Sequence, residues 1–178
     1  CDEHGYTAIA IAHHSNDSIE TFFINMLRGT GLRGLTGITT QVGRLVRPMM
    51  FATRKEITEY AVSHHIPYRE DSSNRSTKYL RNKIRLGLVP MIREINPKFT
   101  SLMRGNIAHL AEAQAFVNYA IDIIRQTTIE ELDGIHYLRL ERLGDNIPQN
   151  FASLRFIAIE HICHRTCKSH KTNYHYHR

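Results

Sequence analysis

Tryptophan is absent from this 178-residue chain, and cysteine occurs only at Cys1, Cys163 and Cys167. Three cysteines without paired spacing make no disulfide framework, which excludes a disulfide-stapled secreted scaffold and points to a reducing, cytoplasmic setting. No apolar run approaches the roughly 20 residues that a spanning helix needs, and no secretory leader opens the chain, so no membrane partner is expected. Internal repeats and low-complexity tracts are missing too. The length suits one domain, or a medium domain plus a small one, with a real core.

Negative charge is scarce where it matters. Between positions 21 and 55 there is no acidic residue, while Arg28, Arg33, Arg44, Arg47, Arg54 and Lys55 all fall there. A second basic cluster, Arg69, Arg75, Lys78, Arg81, Lys83, Arg85 and Arg93, is offset only by Glu70 and Asp71. With a net charge of +6, two such clusters point to phosphate and best fit a nucleic-acid partner. No aromatic ladder accompanies them, although Tyr68 and Tyr79 are available to stack on bases.

The apolar run Thr7-Ala8-Ile9-Ala10-Ile11-Ala12 predicts a buried strand over 7–12 that delivers His13 and His14 at its carboxyl end, where open α/β sheets bind ligands. Ile19, Phe22, Phe23, Met26 and Leu27 have the spacing of one apolar helix face, predicting a helix over 17–28. Asp17 is the expected N-cap and Glu20 its capping-box partner, a purely structural role that competes with a chemical one. A glycine loop over 29–38 and a strand near 44–48 follow. Thr53-x-x-Glu56 opens a helix over 54–65, with His64 and His65 at its far end as surface residues. A loop over 66–76 precedes a basic helix from about Lys78 that Pro90 should interrupt. Asn96-Pro97 then starts a long helix to about Gln126. Its seam of Met103, Ile107, Leu110, Val117, Ile121 and Ile124 reads as core. A strand over 136–140 and a helix over 149–165 complete the reading. The tail gathers His161, Cys163, His164, Cys167, His170, His175 and His177; zinc ligation is conceivable, but the spacing matches no settled finger.

The segment Ala12-His13-His14-x-x-Asp17-x-x-Glu20-Thr21, followed by Arg28-Gly29-Thr30-Gly31-x-x-Gly34-Leu35, resembles the N-type ATP pyrophosphatases that modify tRNA, most closely the tRNA(Ile)-lysidine synthetase family. Further matches follow in order: Arg47-Pro48, Arg54 with Glu56-Ile57, Asp71-x-Ser73-Asn74, Arg81-Asn82-x-Ile84-Arg85, Pro90 and Asn96-Pro97. Each is weak alone; their order over about the first 100 residues is specific, and the remainder matches more vaguely.

The resemblance implies an α/β fold: part of a parallel-sheet adenine-nucleotide alpha hydrolase-like (PP-loop ATPase) domain over 1–95, then a smaller, mostly helical tRNA-binding domain over 96–178. It also implies a reaction in which ATP adenylates the wobble cytidine of an isoleucine tRNA and free lysine displaces AMP. Cofactors would be ATP and Mg2+, and partners the anticodon loop of tRNA(Ile) and lysine; oligomeric state stays open, a homodimer being one option. Asp17 is the expected magnesium ligand, since a hard cation takes carboxylate oxygen. His13 or His14 would contact phosphate or serve in acid–base chemistry, and the sequence does not choose between them. Arg28, Gly29, Thr30 and Gly31 would contact the nucleotide, though Gly29 also suits a plain helix C-cap. Arg81, Asn82 and Arg85, with Asp71, Ser73 and Asn74 beside them, would reach the adenylate or the tRNA.

One family element is missing: no Ser-Gly-Gly-x-Asp-Ser phosphate loop occurs anywhere. The expectation is therefore an interior portion of a longer enzyme, inactive alone, whose phosphate loop lies upstream. Residues 97–178 carry ten basic against eight acidic residues, so tRNA affinity should rest mainly on the first half. Two alternatives remain: a tRNA thiolation enzyme of the same fold, disfavoured because only Cys1 lies in the α/β half, and a non-catalytic RNA-binding module.

Overall fold

A computed structural model describes residues 2–69, 79–132, 135–138 and 142. The predicted helix over 149–165, the histidine-rich tail and the 70–76 part of the predicted loop, with Asp71, Ser73 and Asn74, lie outside the described residues. The chain divides into two compact units, Cys1–Gln114 and Ala115–Arg178.

In the first unit, β1 (Ile9–Ala10) runs parallel to β3 (Leu45–Val46), with Ile9 opposite Leu45 and Ala10 opposite Val46. β2 (Gln41–Val42) pairs antiparallel with β3. Only Gly43 and Arg44 separate the two, and Gly43 sits at φ 56°, the positive φ that a tight two-residue hairpin demands at its first position. The described sheet, ordered β1-β3-β2, is therefore mixed rather than parallel throughout. It is also less covered than the apolar run 7–12 predicts: β1 is a sheet edge, and Ile9 is 49% exposed.

α1 (Ser15–Arg28) starts two residues before the predicted boundary. Its N-cap is His14, so Asp17 is the third helical residue rather than the cap. The Asp17 carboxylate accepts the His14 backbone N–H at 2.9 Å, the back-reaching half of a capping box shifted three residues from its expected place. Ile19, Phe23 and Ile24 of α1 form the core with Ile84, Val89, Met103 and Ile107. Met26 and Leu27, expected on that face, are exposed, and Ile24 packs instead.

From Gly29 the chain doubles back. A short helix, α2 (Leu32–Leu35), packs along α1, Asn25 Nδ2 donates to Gly34 O at 2.8 Å, and Ser18 Oγ accepts the Ile38 N–H at 3.0 Å. After a 3-10 turn over Pro48–Phe51 comes α3 (Arg54–Ser63), opened by the predicted capping box. Thr53 N and Oγ1 both donate to the Glu56 carboxylate, at 2.6 and 2.8 Å, and hold it below the usual carboxylate pKa. Tyr60 stacks on the exposed His64, as a surface role for that histidine requires.

The basic helix does not stop at Pro90. α4 (Leu80–Lys83) passes into a π-helical turn over Ile84–Leu88 and on into α5 (Val89–Ile95). Pro90 lacks the N–H that would bond the Leu86 carbonyl, and its ring crowds that carbonyl. Widening the preceding turn accommodates both defects without ending the helical path.

α6 spans Phe99–Thr128. Asn96 guards its start, its Oδ1 accepting the Lys98 N–H at 3.0 Å and its carbonyl the Phe99 N–H at 2.9 Å. Of the predicted seam, Met103 and Ile107 join the core of the first unit, where Leu110 is half-buried; in the second unit Ile121 is buried, and Val117 and Ile124 are half-buried. In the second unit, β4 (Ile129–Leu132) and β5 (Ile135–Leu138) pair antiparallel; β5 holds the first part of the predicted strand.

Candidate nucleotide-binding corner

The first turns of α1 are buried yet polar: His14, Ser15, Asp17, Ser18 and Glu20 are each less than 9% exposed. Buried polar groups need partners, and three distant segments supply most of them. Ser15 donates through N and Oγ to the Ala52 carbonyl, at 3.0 and 2.8 Å. Asn16 Oδ1 accepts the Arg54 N–H at 2.8 Å. Ser18 receives Ile38, as above, and the carboxylates receive arginines.

Arg85, on the π-helical turn, donates Nε to Glu20 Oε1 at 2.6 Å and Nη2 to Glu20 Oε2 at 2.9 Å, and reaches Asp17 Oδ1 at 3.2 Å. This fork-on-carboxylate geometry is the strong form of an ion pair, and it raises the Arg85 pKa. Arg81 stands 3.9 Å from both carboxylates and donates Nη2 to Thr21 Oγ1 at 3.2 Å. Two arginines four apart thus face two carboxylates three apart, each pair on one helical face.

The adjacent histidines separate. His14 is buried, and its Nδ1 lies 3.4 Å from Asp17 Oδ2 without hydrogen-bond alignment, leaving it unpaired among the described residues. Burial lowers the His14 pKa below its ordinary 6.5, opposed by Asp17 and Glu20 and aided by Arg54 and Arg85. His13 is half-buried and accepts Arg47 Nε–H at Nδ1, 3.3 Å away. Because an arginine N–H only donates, that bond leaves the neutral ring's proton on Nε2. Arg47 is itself held by the Thr39 carbonyl at 2.9 Å.

His13, His14, Asp17, Arg81 and Arg85 are therefore gathered around the start of α1, and the buried Asn82 lies between the two arginines in sequence. Arg28, Gly29, Thr30 and Gly31 are exposed at the opposite end of α1, eleven residues from Asp17 and so roughly 16 Å along the axis. Gly29 is the C-cap, with φ 75° and its N–H on the Met26 carbonyl. Glu20 and Arg47, present in the quoted motifs but given no chemical role there, also belong to this cluster. A signal for Glu20 was available: with Asp17 it forms the last acidic pair before a long acid-free stretch, matching two arginines at helical spacing.

A magnesium ion fits these side chains poorly as they stand. Asp17 Oδ2 is taken by a backbone N–H and Oδ1 faces Arg85, and no group of three or more metal-ligating side chains occurs among the described residues. No helix among these residues is long and apolar enough to cross a membrane.

A family model described as a PP-loop domain matches residues 1–92. The tRNA(Ile)-lysidine synthase of Bacteroides thetaiotaomicron is 40% identical over 151 residues, covering 84% of this chain and 34% of the relative. That of Parabacteroides distasonis is 36% identical over 131 residues, covering 74% and 30%. That of Chlorobaculum tepidum is 33% identical over 135 residues, covering 76% and 40%. The chain thus spans about a third of the length of the relatives it matches. Matched by the family model over more than half its residues, the chain belongs to the PP-loop domain family.

Proposed function

We propose that this chain supplies part of a tRNA(Ile)-lysidine synthase, an ATP-dependent ligase that adenylates the wobble cytidine of tRNA(Ile) and then joins lysine to it with release of AMP. The observation that carries this reading is the carboxylate–arginine corner at the start of α1, built from the His-His-x-x-Asp-x-x-Glu segment and Arg81-Asn82-x-Ile84-Arg85. The shared identity with enzymes of that name supports it.

In this reading Arg81 and Arg85 supply positive charge to the adenylate and its leaving phosphate, with Asp17 and Glu20 holding them in place beforehand. His13, its ring oriented by Arg47, presents Nε2–H as a donor to phosphate oxygen. His14, kept neutral by burial, remains a candidate proton acceptor beside Asp17. Asn82 fixes the helix that carries the arginines, and Asp71 and Asn74 complete the reach toward the tRNA. Arg28, Gly29, Thr30 and Gly31 close on the nucleotide from the far end of α1. Magnesium is assigned to the ATP phosphates, whose charge it shields, rather than to a cage of protein carboxylates. Residues 96–178 serve as the tRNA-binding domain after an ATP-handling part over 1–95, in the cytoplasm and with free lysine as co-substrate.

The test is ATP-dependent incorporation of labelled lysine into a tRNA(Ile) transcript bearing the wobble cytidine, using the complete gene product and its Asp17→Asn and Arg81→Gln variants. Incorporation by the parent and at least a hundredfold loss in both variants is expected, the scale of losing a preorganised electrostatic contact. A parent that transfers no lysine overturns the reading, and sulfur transfer or RNA binding alone then becomes the account to examine.

A further inference from the structure

Beside the corner, a cavity of about 620 Å³ opens between the starts of α1, α3 and α6 and the end of α5. Among the described residues three cations line it, Arg54, Lys55 and Arg93, against one carboxylate, Glu59, a balance of two positive charges. Arg93 is held ready: Nε and Nη2 both donate to Thr100 Oγ1, at 3.0 and 2.8 Å. The Arg54 guanidinium makes no hydrogen bond or ion pair among the described residues. Lys55 meets Glu59 only loosely, at 3.7 Å and in solvent.

We propose that this cavity is a binding site for RNA backbone phosphate, holding the strand next to the corner where the base reacts; the proposal rests on the tRNA-modifying reading above. Two features favour a phosphodiester over a nucleotide triphosphate. A triphosphate pocket is typically a glycine-rich cradle of free backbone N–H groups, whereas no glycine among the described residues lines this cavity. The first N–H groups of α3 are also already committed, Arg54 N to Asn16 and Glu56 N to Thr53 Oγ1. What remains is arginine, lysine and threonine side chains, the set that positions a nucleic-acid backbone without reading its bases. Asn16 belongs both to the cavity wall and to the first turn of α1, immediately before Asp17. A strand held there passes directly beside the carboxylate–arginine corner.

The test is equilibrium binding of a tRNA(Ile) transcript to the complete gene product over a salt series, for wild type, Arg54→Gln/Arg93→Gln and Arg54→Lys/Arg93→Lys. ATP binding is measured in parallel. The glutamine pair is expected to weaken tRNA binding about fivefold or more and to flatten the log–log salt slope by about 1 to 2, with ATP affinity unchanged and the lysine pair near wild type. Should the glutamine pair fail to fold, Lys55→Glu, at a side chain 84% exposed, must move affinity and slope in the same direction. Unchanged tRNA affinity and slope in folded variants that still accept the wild-type substrate overturns this site alone. Lost ATP affinity with intact tRNA binding also overturns it, assigning the cavity to nucleotide phosphate. A wild type that neither binds nor modifies tRNA removes the broader reading as well.

Discussion

At its first turn α1 is buried and crowded with partners; at its last it stands in solvent and ends on a glycine. The two ends carry the two groups of residues that the family resemblance selects, and they are built differently. At the start, charges are bound to one another: Glu20 and Asp17 to Arg85, with Arg81 close by. At the end, Arg28 through Gly31 are exposed, and Gly29 supplies a positive φ that other residues adopt with strain,. An electrostatic site at the start is therefore inseparable from folding, whereas the residues at the end are exposed and bear little of the core. Mutations should separate stability from function at the end and fail to do so at the start.

The largest effect belongs to Arg85→Met. Removing the guanidinium leaves two carboxylates, 6% and 3% exposed, without their closest counter-charge, and breaking one side of such a buried pair costs about 3 kcal/mol or more. Urea unfolding should show that loss, with Arg85→Lys intermediate because it keeps charge but not the fork. A loss under about 1 kcal/mol, the range of exposed pairs, would mean that the start of α1 is no more tightly coupled than its end.

Next come two glycines on the loop that joins the ends. At Gly37, φ is +67° and an added Cβ would lie 2.1 Å from Ser18 Oγ and 3.2 Å from Ile107 Cγ2. At Gly29, φ is +75° but nothing lies within 4 Å. Gly29→Ala should cost about 1 kcal/mol, backbone strain alone. Gly37→Ala should cost about 2 kcal/mol or more, because it also displaces the serine that receives Ile38. Equal losses on thermal unfolding would deny that the loop tightens as it returns to the corner.

A smaller effect concerns pH. Burial depresses the His14 pKa, so the unfolded chain binds this proton more readily than the folded one. Stability is then fully present above the unfolded value of 6.5 and falls as pH drops from there through the lowered folded pKa. In His14→Gln that fall should be shallower over the same window, read as urea midpoints between pH 7 and 5. An identical slope in both proteins would remove His14 as the titrating group.

Local features of this arrangement were legible in the sequence, and pairings across the chain were not. The apolar periodicities of α1 and α6 and the Thr53–Glu56 box are short-range signals, and each produced its element. α1 is capped by His14 rather than Asp17: histidine is an unusual cap, and Asp17, with the chemistry of a cap, serves instead as the third helical residue. The fork from Arg85 to Glu20 spans 65 residues and depends on how α1 meets the π-helical turn, which no local periodicity encodes. Pro90 predicts a break, but whether a helix stops or widens depends on packing, and Ile84 and Val89 before it are held in the core while Ile92 after it packs against that core. The buried strand failed for a related reason: the run 7–12 is apolar, but burial requires a covering layer, which composition alone does not specify.

The smallest change in stability should come from Arg28→Gln. Arg28 is exposed in the last turn of α1, where a cation gains only a few tenths of a kcal/mol from the helix dipole. The urea midpoint should therefore move by less than about 0.5 kcal/mol equivalent. If the loop engages nucleotide phosphate, the same substitution should weaken ATP binding about tenfold, the scale of one charge-assisted hydrogen bond. Arg85→Met, by contrast, should lower folding and lysine incorporation together. An Arg28→Gln protein with wild-type ATP affinity would reduce Gly29 and its neighbours to an ordinary helix terminus. The chemistry would then rest on the buried corner alone.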